Sequence, residues 1–79
     1  MDNKKNTTYV VTHETNDVCD LELSFKSYSE ALSKVNELYN FAKAIGIEYE
    51  SVINIPLRKL IKNIHLANGE RVTISIHKL

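Results

Sequence analysis

A single amphipathic stretch, Ser27–Gly46, constrains this chain more than any other feature, because the segments on both sides of it have a different hydrophobic period. Its apolar residues recur at three- and four-residue spacing, which places them on one stripe of an α-helix. They are Tyr28, Ala31, Leu32, Val35, Leu38, Tyr39, Ala42 and Ile45. Ser27-x-x-Glu30 predicts the start of the helix, and Gly46 predicts its end. Such a helix is stable only when its stripe is covered, so we expect a sheet beneath it.

The segments before the helix alternate with period two, which is typical of half-buried strands. Thr7–Glu14 and Val18–Phe25 are predicted to form an antiparallel hairpin, with the turn at Thr15-Asn16-Asp17. On the apolar face of the second strand we expect Cys19, Leu21, Leu23 and Phe25. Residues 1–6 are polar and are predicted to be a flexible N-terminal tail.

The region after the helix contains one clear strand and one ambiguous segment. Ile47–Ile55 alternates again, with its odd-numbered residues on one face, and Pro56 ends it because proline cannot donate to a ladder. Residues 56–65 fit a short helix, which we prefer. The alternative is a hairpin with a last strand, Glu70–Lys78, through a three-residue loop at 67–69 that pairs Ile64 with Val72.

The predicted fold class is therefore α+β, in a single domain over residues 7–79. We expect a small, mostly antiparallel sheet of about four strands in the order ββα-β-(short α or β)-β, with the long helix on one face.

Composition limits both the stability of this domain and its environment. A chain of 79 residues buries roughly 60–65% of its unfolded surface, so stability is marginal and self-association as a homodimer is expected to help. The lone Cys19 cannot form a disulfide within the chain, which fits a reducing cytosol and predicts a cytoplasmic location. The net charge is zero, and no apolar run approaches the roughly 20 residues of a membrane span.

The residues that could carry catalysis are not arranged for it. His13, His65 and His77 lack the spacing of a zinc site, and the two glycines, Gly46 and Gly69, cannot build a Gly-rich phosphate loop. Cys19 is expected to be buried and inert. We therefore expect no catalytic residue, no metal and no cofactor; a His13–Cys19 pair is the remaining enzyme hypothesis.

Charge is separated along the chain although it sums to zero. Residues 11–50 hold eight acids and three bases, whereas the bases dominate residues 51–79. The predicted anion or partner patch consists of Arg58, Lys59, Lys62, Arg71 and Lys78. Such a patch is consistent with a solvated surface, with contact to an acidic partner, or with phosphate or nucleic acid.

These patterns favour a small non-enzymatic interaction module, homodimeric and docking to a protein partner; the alternative is a nucleic-acid- or phosphate-binding protein that uses the basic patch. The richness in Asn, Lys and Ile, with two arginines, is typical of low-GC bacteria and their phages. The hairpin followed by Phe25-x-Ser27-Tyr28-x-Glu30-Ala31-Leu32 resembles HicB-type antitoxins over about a third of the chain. That resemblance implies a hairpin leading into a helix and assigns no residue a role.

Overall fold

Five strands and one helix follow one another in the computed structural model, which describes residues 8–55 and 59–79. In chain order the elements are β1 (Tyr9–Thr15), β2 (Val18–Phe25), α1 (Tyr28–Ile45), β3 (Ile47–Ile55), β4 (Lys59–Leu66) and β5 (Arg71–Lys78). The strands form one antiparallel sheet in the order β2-β1-β5-β4-β3. The α+β class with one helix on a sheet face is confirmed. The predicted tail, 1–6, lies outside the described residues.

The helix begins and ends where its capping residues predict. The Ser27 hydroxyl accepts a hydrogen bond from the Glu30 backbone N–H at 3.1 Å, which satisfies one of the free donors of the first turn. Gly46 has φ 115°, a value that glycine adopts at least cost, and its N–H donates to the Ala42 carbonyl at 3.0 Å. The amphipathic stretch is thus a separate helix of 18 residues.

The core lies between α1 and the middle of the sheet. The helix packs chiefly on β5 and β1, and less on β2 and β4. From the helix, the buried side chains are those of Ala31, Val35 and Ala42. From the sheet they are Val11, Leu60, Ile64, Leu66, Val72, Ile74 and Ile76. The helix stripe therefore covers the centre of the sheet and leaves most of β3 uncovered.

The preferred short helix over residues 56–65 is wrong, because Lys59–Leu66 is the strand β4; residues 56–58 lie outside the described part. The hairpin alternative is confirmed, since Ile64 pairs with Val72. Leu60 and Ile64 fit one face of a helix or of a strand equally well, so the available pairing partners determine which structure forms. As a strand, this segment pairs with β3 on one side and β5 on the other, which raises the strand count from about four to five.

Two β-bulges change which residues share a face. In β2 the pairing passes from His13–Leu21 to Glu14–Cys19, so Asp20 has no partner of its own. A bulge adds one residue to a strand. Residues on its two sides that simple alternation would place on one face therefore lie on opposite faces. Cys19 is therefore opposite Glu14 and exposed, and the expectation of a buried thiol beside Leu21 is wrong.

The second bulge, between Ile47 and Tyr49, corrects the predicted face of β3. Ile47 pairs with Leu66 and so belongs to the helix side of the sheet. Tyr49 pairs with His65 and belongs to the other side, which we call the open face. The odd-numbered residues of β3 thus do not all share one face, since Ile47 is separated from Tyr49 and Ser51.

Candidate functional site

The strand β3 is an edge of the sheet, and its residues 48–53 are all exposed. Over residues 47–53, its exposed apolar side chains are Tyr49 at 59%, Val52 at 50% and Ile53 at 48% of their full accessible surface. Val52 lies on the helix side, whereas Tyr49 and Ile53 lie on the open face. An edge strand with apolar side chains on both faces presents a row of unpaired backbone groups for another strand.

The ladder geometry shows which backbone groups of β3 point outward. The Leu66 N–H donates to the Glu70 carbonyl at 2.9 Å, so Leu66 and Ile64 direct their backbone groups toward β5. The alternate residues of β4, at 65, 63 and 61, then point toward β3 and bond Tyr49, Ser51 and Ile53. The Ala67 N–H donates to the Gly46 carbonyl at 2.8 Å, so this odd-numbered residue also points toward the β3 side. The outward-pointing residues of β3 are therefore Glu50, Val52 and Asn54.

The opposite edge, β2, has features that discourage pairing. It carries the bulge at Asp20 and the acidic side chains of Asp20 and Glu22, all exposed. Bulges and charges are common means of blocking an edge strand. The second half of β3, residues 51–55, has no charge and is rich in β-branched residues. The bulge and the acids of β3, Glu48 and Glu50, lie in its first half, so its second half is the edge segment suited to accept a strand.

A small polar cluster anchors the helix side of β3. The Tyr39 hydroxyl donates to Glu50 Oε2 at 2.7 Å, and the Lys62 ammonium lies 4.7 Å from the centre of the Tyr39 ring. The hydrogen bond to Glu50 raises the pKa of the Tyr39 phenol above its ordinary value of 10.0, with smaller contributions from desolvation and from the Glu50 charge. The cluster holds the Glu50 side chain toward α1.

The open face is lined mainly by uncharged polar groups. Tyr49 and His65 stack with ring centroids 4.2 Å apart, and the Thr73 hydroxyl donates to Asn63 Oδ1 at 3.3 Å. A shallow cleft of about 290 Å³ lies beside them. Its lining residues are Ser51, Asn63, Ile64, His65, Arg71, Val72 and Thr73. Hydroxyl, amide, imidazole and guanidinium groups could all donate to an anion at this position.

The structure places two members of the predicted basic patch, Lys62 and Arg71, on opposite faces of the sheet. Lys62 lies on the helix side against Tyr39. Arg71 lies on the open face, where its Nη2 donates to Asp17 Oδ2 at 2.9 Å. Lys78 is exposed and lies seven residues from Arg71 along β5, which is about 23 Å in a strand.

The two remaining members of the patch are Lys59 and Arg58. Lys59 is the first residue of β4, where it pairs with His77. Arg58 lies outside the described residues. Of the patch residues whose side chains the structure describes, Lys62, Arg71 and Lys78, only Arg71 lines the open-face cleft.

The histidines are separated, and each has its own surroundings. His13 Nδ1 lies 2.6 Å from Asp20 Oδ1, and this hydrogen bond is the main cause that lowers the pKa of Asp20 below 3.8. His65 stacks on Tyr49, and His77 Nε2 lies 3.3 Å from the Thr12 hydroxyl.

The bulge also separates the residues of the enzyme hypothesis. Register places His13 on the helix side and Cys19 on the open face, so the pair is not brought together. Within 8–55 and 59–79, no three side chains of His, Cys, Asp or Glu lie close enough to hold a metal ion.

Comparison with known proteins finds no family model, no curated protein and no solved structure that matches this chain. Among the described residues, no helix has both the length and the apolar character needed to cross a bilayer. The β3 edge, the open-face cleft and the chemistry of their residues are therefore the basis for a functional proposal.

Proposed function

We propose that this chain is a small non-enzymatic interaction module that works as a homodimer and docks to a protein partner. The observation that carries the proposal is the β3 edge, with Tyr49, Val52 and Ile53 exposed and the backbone groups of alternate residues free. Strand addition at such an edge gains affinity from backbone hydrogen bonds and specificity from the alternating side chains. This mode of binding requires no catalytic group.

The size of the domain supports assembly. A core of this size gives limited stability, and covering an apolar edge adds buried area without lengthening the chain. A dimer also presents every remaining surface twice, and two linked sites can bind a partner much more tightly than one. A cytoplasmic location and an origin in a phage or mobile element belong to the same proposal; they are supported only by the lone cysteine and the composition.

The test compares two valines on the two edge strands. Val52→Lys places a charge at the centre of the β3 edge, whereas Val18→Lys makes the same change on β2, where Val18 is 66% exposed. Both variants should remain folded by circular dichroism. By light scattering at micromolar concentration, the native chain and Val18→Lys should have the mass of two chains, and Val52→Lys the mass of one.

Docking to another protein is tested by affinity capture from lysate of the source cells. Proteins retained by the native chain and by Val18→Lys, and lost with Val52→Lys, would support the proposal. A native chain with the mass of one copy that also retains no protein would contradict it.

A second candidate function, binding of a phosphate-bearing ligand including nucleic acid, is favoured by one observation, the open-face cleft with His65 and Arg71. The Arg71–Asp17 pair is exposed, and such pairs contribute only about 0–1 kcal/mol, so a phosphate could displace the carboxylate. Inorganic phosphate should shift the amide resonances of residues 63 and 73, and Arg71→Ala should abolish the shifts, while Lys78→Ala should not. Shifts that persist in Arg71→Ala, or that do not weaken with salt, would reject this candidate.

A further inference from the structure

The outward-pointing residues of β3 form a self-complementary row, which specifies how a second copy would pair with it. We infer that two copies join through β3 strands that run antiparallel, with the two-fold axis at Val52. This inference rests on the proposed homodimer and goes beyond it by naming the register. It follows from the ladder parity of β3, from the distribution of charge along it and from the exposure of its apolar side chains.

Ladder parity provides the first argument. With the axis at Val52, that residue faces its own copy, and Glu50 faces Asn54 of the second copy. All three outward residues of each strand then meet outward residues, and three facing pairs at two bonds each give about six hydrogen bonds. An axis at Ser51 or at Ile53 retains only two such pairs, or about four bonds. The axis at Val52 therefore uses the free edge most fully.

Charge distribution provides the second argument. The acids of β3, Glu48 and Glu50, lie in its first half, and residues 51–55 are uncharged. Antiparallel pairing at Val52 places the acidic half of each strand beside the uncharged half of the other. An axis at Glu50 would instead place the two Glu50 carboxylates directly opposite each other, which is destabilising. Charge repulsion thus excludes the register with the axis at Glu50.

The geometry of the assembly follows from the axis. A two-fold axis that relates antiparallel edge strands is perpendicular to the sheet, so each face of one copy continues into the same face of the other. The product is a continuous sheet of ten strands, five from each copy, with both helices on one side. Val52, half exposed in one copy, packs against its counterpart. Ile53, on the open face, packs beside Ser51 of the second copy.

Disulfide cross-linking of single introduced cysteines tests this register directly. In a Cys19→Ser background, one cysteine is introduced at a time, as Glu50→Cys, Ser51→Cys, Val52→Cys or Ile53→Cys. With the axis at Val52, the two Cα atoms at position 52 are about 5.5 Å apart, which suits a disulfide. Those at 51 or 53 are about 8 Å apart, and those at 50 about 14 Å, which are too far for a disulfide.

Oxidation followed by non-reducing electrophoresis should give a disulfide-linked dimer at least tenfold faster for Val52→Cys than for the other three variants. Faster cross-linking at 50, 51 or 53 would overturn the register, while a dimeric mass would leave the proposed function standing. A dimeric mass with no cross-link at any of the four positions would overturn pairing of two β3 strands with the axis at any residue from 50 to 53. A monomeric mass for the Cys19→Ser chain, with no cross-link, would reject a second copy as the occupant, and the capture experiment with Val52→Lys would then decide the proposed function separately.

Discussion

Replacing Ile74 by valine should lower the free energy of unfolding by about 1–1.5 kcal/mol, because Ile74 is fully buried on the central strand β5. The change removes one methylene group. Its transfer out of water contributes about 0.8 kcal/mol, and the space left in a packed core adds the remainder. Ile74 lies in the cluster beneath α1, where neighbouring side chains can collapse into that space only in part.

The assay is thermal and urea unfolding at one fixed protein concentration, since dimerisation would make the midpoint depend on concentration. For a domain of this size, 1–1.5 kcal/mol corresponds to a fall in Tm of roughly 5–10 °C. The urea midpoint should fall with little change in slope. The matched control is Ile45→Val, because Ile45 is 53% exposed near the end of α1.

The control should change Tm by no more than about 2–4 °C, since exposed substitutions usually stay within 0.5 kcal/mol. Equal shifts for Ile74→Val and Ile45→Val would refute the reasoning, because they would show that Ile74 is no more buried than a half-exposed residue at the end of the helix. A large shift for Ile74→Val with an altered urea slope would instead point to a change in the unfolded or native ensemble.

Three further outcomes follow from particular contacts. Ser27→Ala should cost about 1 kcal/mol in urea unfolding through loss of the cap bond to residue 30, whereas Ser29→Ala should change little; equal losses would contradict the cap. Glu50→Gln should lower the pKa of Tyr39 toward 10.0 in an ultraviolet titration, and an unchanged pKa would reject the hydrogen bond. The pKa of Asp20 is lowered in the folded state, so ionised Asp20 makes a small contribution to the free energy of unfolding above pH 3.8. This contribution is lost as pH falls through the folded pKa, so Asp20→Asn should make the free energy of unfolding depend less on pH in acid.

The helix could be predicted because the information for it is local. The cap at Ser27, the glycine at 46 and the repeating stripe lie within one stretch, and none depends on a distant neighbour. The loop at 67–69 was also recoverable, since only a three-residue connection places Ile64 opposite Val72. Both results come from rules that operate over a few residues.

The strand β4 could not be predicted from such local rules. Its apolar spacing fits a helical face, and a helix and a strand differ there only in which partners are available. In the structure, β3 and β5 lie on its two sides and satisfy its backbone groups. Long-range pairing therefore outweighed a local preference, as commonly occurs for short segments.

Period-two alternation also cannot predict the two bulges or the edge position of β3. A bulge adds one residue without a change in composition, so Cys19 and Ile47 moved to faces that period two does not predict. Which strand lies at an edge depends on the order of the whole sheet. The predicted basic patch was divided for the same reason: Lys62 and Arg71 have opposite parity in paired strands and so lie on opposite faces.

Hydrogen exchange of the β3 amides at low and high protein concentration tests most directly whether this edge accepts a strand. The N–H groups of Ser51 and Ile53 point toward β4, so they should be protected at both concentrations. The N–H of Val52 points outward; it should exchange rapidly in dilute solution and slowly once the chains pair. A Val52 amide that exchanges at the same fast rate at both concentrations would contradict pairing through β3.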